Sequence, residues 1–203
     1  RAKVMAEELL WQLHREAGLP VTVIRPGWIY GPRDRTRIFL LANALRWWRM
    51  PVLGWGRNRL NLVYAGNVAE ACVLAAQKPE AVGQAYNVSQ DGPITQRELL
   101  DLLARELGTP RPWWYVPYSL GFVSAFGMEC IGRALGIPSP PPLTRYMAWY
   151  LGGQGVYSTA KCERELGWRP GVSYAEGVRQ TVRWYRQIRQ SLGNVGELPV
   201  GLH

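Results

Sequence analysis

The stretch Val21-Thr22-Val23-Ile24-Arg25-Pro26-Gly27-Trp28-Ile29-Tyr30-Gly31-Pro32 decides how this chain is read. The β-branched run at 21–24 suits a strand covered on both faces of a parallel sheet. Pro26 has no N–H to give to a ladder, so pairing is expected to end there. A stiff loop of Pro26, Gly27, Gly31 and Pro32 follows at once and carries Trp28 and Tyr30. In open α/β sheets, ligands bind just beyond the carboxyl ends of the strands, which makes this loop a candidate site wall. The same pattern fits an ordinary strand-to-loop exit, and these residues alone do not separate the two readings.

Outward from this strand, Lys3 to Ala17 reads as a helix. Val4, Leu9, Leu10, Leu13 and Ala17 share one face, and Gly18 supplies the stop. Lys3 falls in the first turn, where a cation opposes the helix dipole. A surface lysine is one explanation and a functional lysine the other.

A lysine-headed helix followed by a strand closing on Arg-Pro-x-x-x-Tyr-Gly-Pro resembles the extended short-chain dehydrogenase/reductase family, the NAD(P)-dependent epimerases and dehydratases. In that family a Tyr-x-x-x-Lys motif opens the helix. Here Lys3-Val4-Met5-Ala6-Glu7-Glu8 and Arg25 to Pro32 stand in the same order. The partner tyrosine would fall ahead of Arg1, and the chain holds no glycine-rich turn after a first strand. The resemblance therefore implies the C-terminal part of a longer protein. The remainder would carry the early βαβ units that bind the dinucleotide. The fragment alone is expected to be inactive.

Further blocks extend the resemblance to about Arg186. Asn61-Leu62-Val63-Tyr64-Ala65-Gly66-Asn67-Val68-Ala69-Glu70-Ala71 resembles the block that follows a core strand in the family. Tyr86-Asn87-Val88-Ser89, with Thr95-x-x-Glu98-Leu99 after it, resembles the entry to the substrate domain. Ala160-Lys161 through Leu166-Gly167-Trp168-Arg169-Pro170 and Tyr174 through Trp184-Tyr185 resemble its closing segments. Local signals agree. Val52-Leu53, Asn61 to Tyr64 and Ala85 to Val88 read as strands, with a Gly54 to Asn58 turn. Ile38 to Trp48 and Asn67 to Ala76 read as helices, the latter with Asn67 as N-cap. Thr95-x-x-Glu98 is a capping-box pattern for a helix stopped at Gly108.

Composition bounds the function. Hydrophobic residues are 47% and charged residues 19% of 203, ordinary for a globular chain with a sizeable core. The net charge of +9 comes mostly from scattered arginines. The densest run, Arg179 to Arg189, reads as a solvated helix face. No nucleic-acid signature accompanies it, so no nucleic-acid partner is expected. Three distant cysteines, Cys72, Cys130 and Cys162, have neither disulfide nor metal spacing. With only His14 and His203 besides, no metal centre is expected. A cytoplasmic location follows from the cysteines.

Residues 113–131 are the apolar outlier, with Glu129 the single charge. Trp113, Trp114, Tyr115, Tyr118, Phe122 and Phe126 lie within it, and Pro117, Gly121 and Gly127 interrupt it. A pocket-lining helix or a peripheral membrane contact fits better than a span. Ser139-Pro140-Pro141-Pro142 reads as a stiff connector.

The resemblance also implies roles. The Tyr–Lys pair moves the hydroxyl proton while hydride passes between substrate carbon and nicotinamide. A phenol titrates near 10. Lowering that by roughly three units takes about 4 kcal/mol of differential interaction, supplied by nearby cations. Lys3 would fill that role and bind the nicotinamide ribose. Pro26, Gly27, Trp28 and Ile29 would line the nicotinamide of NAD or NADP. Tyr30, Arg33, Arg57, Asn67, Trp114 and Phe122 would face substrate. Tyr157-Ser158-Thr159-Ala160-Lys161 also fits Tyr-x-x-x-Lys, but Ser158 reads as an N-cap, which leaves Tyr157 ahead of the helix. Nucleotide-sugar members carry Arg where this chain has Leu60. Arg59 is one residue off and so on the opposite strand face. An apolar, sterol-like alcohol is the leading substrate class, on the 3β-hydroxysteroid dehydrogenase-like branch. A nucleotide-sugar epimerase or dehydratase and a non-catalytic NAD(P)-sensing regulator are the alternatives. A homodimer stays open.

The expected architecture is α/β: the C-terminal part of a Rossmann-type doubly wound sheet plus a small helix-rich substrate domain. Residues 1–34 and 60–90 go to the sheet domain, 35–59 and 91–190 to the substrate domain, and 191–203 to a tail.

Overall fold

The computed structural model describes residues 2–34, 37–46, 51–90, 92–137, 144–153 and 155–193. In chain order the elements begin with α1 (Ala2–Ala17), β1 (Thr22–Pro26), β2 (Trp28–Tyr30), α2 (Arg37–Arg46), β3 (Val52–Leu53), β4 (Arg59–Leu60) and β5 (Leu62–Tyr64). They continue with α3 (Ala65–Gln77), β6 (Gln84–Val88), β7 (Ile94–Thr95), α4 (Gln96–Leu107) and β8 (Tyr115–Val116). The last are α5 (Tyr118–Ala134), α6 (Arg145–Gly152), α7 (Ala160–Leu166) and α8 (Tyr174–Gly193). The expected Ser139 to Pro142 connector, the end of the helix at Trp47 and Trp48, and most of the 191–203 tail lie outside the described residues.

Two compact units emerge: Arg1–Ile29 with Asn61–Gly92 and Tyr157–Ser173, and Tyr30–Leu60 with Pro93–Val156 and Tyr174–His203. In the first, β1 and β6 run parallel in a register from Thr22↔Gln84 to Pro26↔Val88. The Val21 carbonyl opens the pairing by accepting from the Gly83 N–H at 2.7 Å. The pairing ends at Pro26, as its missing N–H predicts. The Gly27 N–H donates to the Val88 carbonyl at 2.8 Å and closes the last pair, Pro26↔Val88. Alternate strand residues turn their N–H groups to opposite sides, and Pro26 falls where the missing donor would point away from β6.

The core of this unit gathers Val63, Ala71, Ala75, Ala81, Tyr86, Val88, Cys162, Leu166 and Trp168. Each fully buried large apolar side chain contributes roughly 1.5–3 kcal/mol. Burial pushes the Cys162 thiol up to about 11, which keeps it protonated and inert at neutral pH. Cover on both faces of β1 is not what the structure has. Thr22, Val23 and Ile24 are half-buried and Arg25 and Pro26 exposed. Helix α1 buries none of its residues, and Val4, Met5 and Leu9 stand open at 55–65% exposure.

Two boundaries differ from the sequence expectation. Helix α3 starts at Ala65, so Asn67 lies inside its first turn and is not the cap. The cap position of α7 is Thr159, while the Ser158 hydroxyl accepts from the Ala160 N–H at 3.3 Å. Residues 157–173 also belong with the first unit, because Cys162, Leu166 and Trp168 fill its core.

The second unit is helix-rich. Leu41, Leu45, Leu99, Leu100, Leu103, Val178, Val182 and Tyr185 are buried where α2, α4 and α8 pack together. The Tyr185 hydroxyl donates to Asn43 Oδ1 at 2.7 Å, and its ring meets Phe39 edge-on at 5.1 Å. Two short ribbons complete the unit, β3 with β8 in parallel and β4 with β7 antiparallel. In β4, Leu60 turns inward at 1% exposure and Arg59 outward, as strand alternation requires.

Helix α4 carries the expected capping box. The Glu98 N–H donates to Thr95 Oγ1 at 3.2 Å, and the Glu98 carboxylate accepts from the Thr95 N–H at 2.8 Å. Gly108 closes the helix in the left-handed region at φ 68°. The Thr95 backbone N–H, then its hydroxyl, holds the Glu98 carboxyl below its ordinary value. A depressed carboxylate stabilises the fold above the unfolded value near 4.3 and loses that stabilisation as pH falls through the folded value. Thr95→Ala should cost about 1 kcal/mol by denaturant titration at neutral pH. Glu98→Gln should flatten the loss of stability below roughly pH 4.3; an unchanged acid limb would contradict the assignment.

Candidate functional site

The site is built around the carboxyl end of β1 and the first turns of α1. Lys3 stands exposed in a first turn that holds no acidic residue. One turn later comes Glu7, the natural partner for it on a helix surface. That carboxylate is taken by Arg25, whose Nε donates to Glu7 Oε2 at 3.2 Å and whose Nη2 donates to Oε1. Trp11 Nε1 donates to Glu7 Oε1 as well, at 3.1 Å. The Arg25 hydrogen bond holds the Glu7 carboxyl below its ordinary value, and Glu7 raises that of Arg25. Among the described residues Lys3 is left as a cation without a carboxylate partner. The same ion pair ties α1 to the end of β1.

Beyond Arg25 the backbone of residues 26–29 is held on both sides. Gly27 donates to Val88 and the Trp28 N–H to the Asn61 carbonyl at 2.7 Å. A β-carbon on Gly27 would lie 2.8 Å from that carbonyl and 3.0 Å from the Asn61 side chain, closer than real β-carbons approach. Glycine is therefore required by the close passage over Asn61. The Ser89 hydroxyl donates to Asn61 Oδ1 from below. Pro26 is exposed and Ile29 is 40% exposed, so this rigid strip presents apolar surface outward.

Two residues that the sequence assigns to substrate are interior instead. Tyr30 is 2% exposed and Asn67 1%. Asn67 acts as a staple. Its Nδ2 donates to Gln90 Oε1 at 3.1 Å and to the Val172 carbonyl at 2.9 Å, while Oδ1 accepts from the Val172 N–H at 3.0 Å. Its backbone carbonyl accepts from Trp168 Nε1 at 3.0 Å. Every polar atom of the side chain is committed inside the unit.

The remaining substrate assignments fall in the second unit. Arg33 is exposed and held at φ 76°, in the left-handed region. Arg57 is exposed on the turn whose Gly54 and Gly56 have positive φ. Trp114 and Phe122 flank one corner. The Trp114 carbonyl accepts from the Val52 N–H at 3.0 Å, and Gly121 at the start of α5 packs closely on Leu53. Phe122 lies against Tyr118 at 6.2 Å between ring centroids. Trp114 is 37% and Phe122 36% exposed, so both offer apolar area.

Lys161 of the second Tyr-x-x-x-Lys match is committed elsewhere. Its ammonium donates to Gln84 Oε1 at 2.8 Å and the Ala85 carbonyl at 3.3 Å, over the Tyr86 ring. Tyr157 precedes α7. Sequence reasoning missed Glu7 and Asn61. Glu7 could have been found from its position one turn after Lys3; Asn61 had no local signal. Among the described residues no group of His, Cys, Asp and Glu is gathered as a metal site.

Residues 1–89 match the NAD dependent epimerase/dehydratase family. The chain is 33% identical over 186 residues to a 2-alkyl-3-oxoalkanoate reductase of Stenotrophomonas maltophilia (strain K279a), covering 88% of the chain and 55% of that protein. It is 28% identical over 174 residues to a decarboxylating sterol-4-alpha-carboxylate 3-dehydrogenase of Mus musculus, covering 82% and 48%. The solved UDP-glucose 4-epimerase of Thermotoga maritima superposes with a TM-score of 0.67 at 24% identity, over 93% of this chain and 53% of that one. That likeness is one of fold, the Rossmann-type α/β architecture. The chain spans about half the length of the relatives it matches.

If Asn67 is a staple, Asn67→Ala in the intact protein leaves the half-buried Val172 N–H without its acceptor. Thermal or denaturant unfolding should show a loss of about 1–3 kcal/mol, with Michaelis constants unchanged at temperatures where the variant is folded. A raised substrate KM with unaltered stability would return Asn67 to the substrate.

Proposed function

Because the chain belongs to the NAD-dependent epimerase/dehydratase family, we propose that the whole protein is an NAD- or NADP-dependent oxidoreductase acting on the hydroxyl or keto group of an apolar, sterol-like alcohol. The observation that carries the substrate class is the aromatic corner of the second unit, where Trp114 and Phe122 are both more than a third exposed. Leu60 adds to it. A nucleotide sugar needs a cation for its pyrophosphate, and the inward position of β4 is a buried leucine. The names of the reductase and the sterol dehydrogenase among the relatives denote substrates with an alkyl or sterol body bearing a carboxylate, and not nucleotide sugars.

The strip and Lys3 suit the nicotinamide end of the cofactor. An unpaired ammonium matches ribose hydroxyls, and the exposed apolar edge of Pro26 and Ile29 matches the face of a flat ring. When bound, the nicotinamide supplies the hydride acceptor or donor. Lys3 would hold the ribose and, by its charge, would favour the phenolate of the motif tyrosine that the family resemblance implies one turn before it. Arg25 keeps Glu7 from neutralising Lys3. The Gly27–Val88 and Trp28–Asn61 bonds fix the strip before any ligand arrives, so binding costs little ordering.

In the intact protein, Lys3→Met should lower kcat by about a hundredfold or more at saturating cofactor while leaving the melting temperature within error. Unchanged turnover would remove Lys3 from the mechanism. Trp114→Ala or Phe122→Ala should raise KM for sterol-like alcohols roughly ten- to hundredfold without altering cofactor Kd. A panel of such alcohols beside UDP-sugars checks this. Efficient UDP-sugar turnover, indifferent to both substitutions, would replace the proposal with a sugar epimerase.

A further inference from the structure

Three segments, 27–28, 61 and 88–89, close a ring of hydrogen bonds beneath the strip of residues 26–29. The Gly27 N–H donates to the Val88 carbonyl at 2.8 Å and the Trp28 N–H to the Asn61 carbonyl at 2.7 Å. Ser89, the residue after Val88, closes the ring with its side chain, whose hydroxyl donates to Asn61 Oδ1. The two backbone bonds need no particular side chain. The third needs a hydroxyl at 89 and an amide at 61, and both residues are interior, at 4% and 7% exposure.

The side-chain bond governs something that the backbone bonds do not. Gly27 rests on the Asn61 side chain, where a β-carbon on the glycine would lie 3.0 Å from both Cγ and Nδ2. The end of an asparagine turns through a broad range about its last torsion, and the Ser89 hydroxyl fixes the direction it takes here. Without that donor the buried Oδ1 loses a partner, which is unfavourable in an interior, and the amide turns against the glycine that lies on it. The frame around it does not depend on the hydroxyl. The Gln90 N–H donates to the Leu62 carbonyl at 3.1 Å and keeps segments 61–62 and 88–90 side by side. Loss of the Ser89 bond therefore loosens the strip and leaves the fold standing. A strip not fixed in advance must be ordered when its ligand arrives, and apparent affinity falls with the fraction of molecules in which it is in place.

We propose that Ser89 and Asn61 are positioning residues for the nicotinamide ring of NAD or NADP, a role that rests on the proposed use of the 26–29 strip. Being interior, they act through the strip, and their bond makes affinity for the ring depend on a hydroxyl behind the site.

The test is calorimetric titration of the intact protein, without substrate, with NAD, with NADP and with the corresponding ADP-ribose, which lacks the nicotinamide. Ser89→Ala, nearly isosteric, and Asn61→Ala should each raise the Kd of the dinucleotide about three- to tenfold and leave that of ADP-ribose unchanged. The double substitution should bind no more weakly than Asn61→Ala alone, because both remove one shared bond. In the ligand-free protein, hydrogen exchange of the Trp28 N–H should quicken in Ser89→Ala. Equal weakening of dinucleotide and ADP-ribose would overturn the proposal, since the substitutions would then act by general loss of structure. A double substitution showing the full product of the single effects would do the same. Wild-type protein that binds neither NAD nor NADP overturns the proposed function and this role together. A dinucleotide Kd that Ser89→Ala leaves unchanged overturns this role alone.

Discussion

The parallel pairing of β1 with β6 is the constraint on which the candidate site depends. It joins residues about sixty apart in the chain and ends at Pro26 as expected, with the Gly27 N–H bonded to the Val88 carbonyl. That last bond carries the backbone over Asn61, where only glycine fits, and delivers Pro26 to Ile29 as a fixed strip. The core beneath is assembled from α3 and from α7 with the turn after it, which come back from far along the chain to place Cys162, Leu166 and Trp168 in that core. Asn67 holds that return in place by binding both the N–H and the carbonyl of Val172.

Among the described residues of the first unit, Lys3 is left without a carboxylate partner. A lysine in the first turn of a helix faces an unfavourable dipole, and a glutamate one turn later would ordinarily relieve it. Arg25 occupies that glutamate instead. The exchange has a mechanical consequence too, because it fastens α1 to the end of β1. The arrangement in the second unit is the reverse. There Arg145 neutralises the single carboxylate of α5, and the face that remains is apolar with a positive margin.

The second unit is stabilised by local devices more than by long ladders. Its strands are two residues each. The capping box at Thr95 and the left-handed Gly108 define α4 at both ends, and α2 and α8 pack on its buried leucines. Short ribbons leave the loops around Trp114 and Arg57 free to present side chains without disturbing the helical core, as loops on a rigid scaffold do.

What the sequence determined by itself was whatever acts over a few residues. The helix from Lys3 to Ala17 and its glycine stop, the capping box, the β-branched strand, the exclusion of Tyr157 from α7 and the opposite faces of Arg59 and Leu60 all follow from spacings of one to four residues. The α/β architecture was implied by the resemblance of motifs spread from Lys3 to about Arg186. Tertiary structure decided what depends on distant partners. Asn67 reads locally as a cap and is a buried staple, because its partner is 105 residues away. Tyr30 reads as a loop aromatic and is interior, because a core closes over it. Arg25 and Glu7 look unrelated until the strand lies against the helix. Pro26 reads as a strand end and is one, while the side its missing donor faces is set by where β6 lies. Local signals set which conformations are cheap, and the partners supplied by the fold set which polar groups remain free to act.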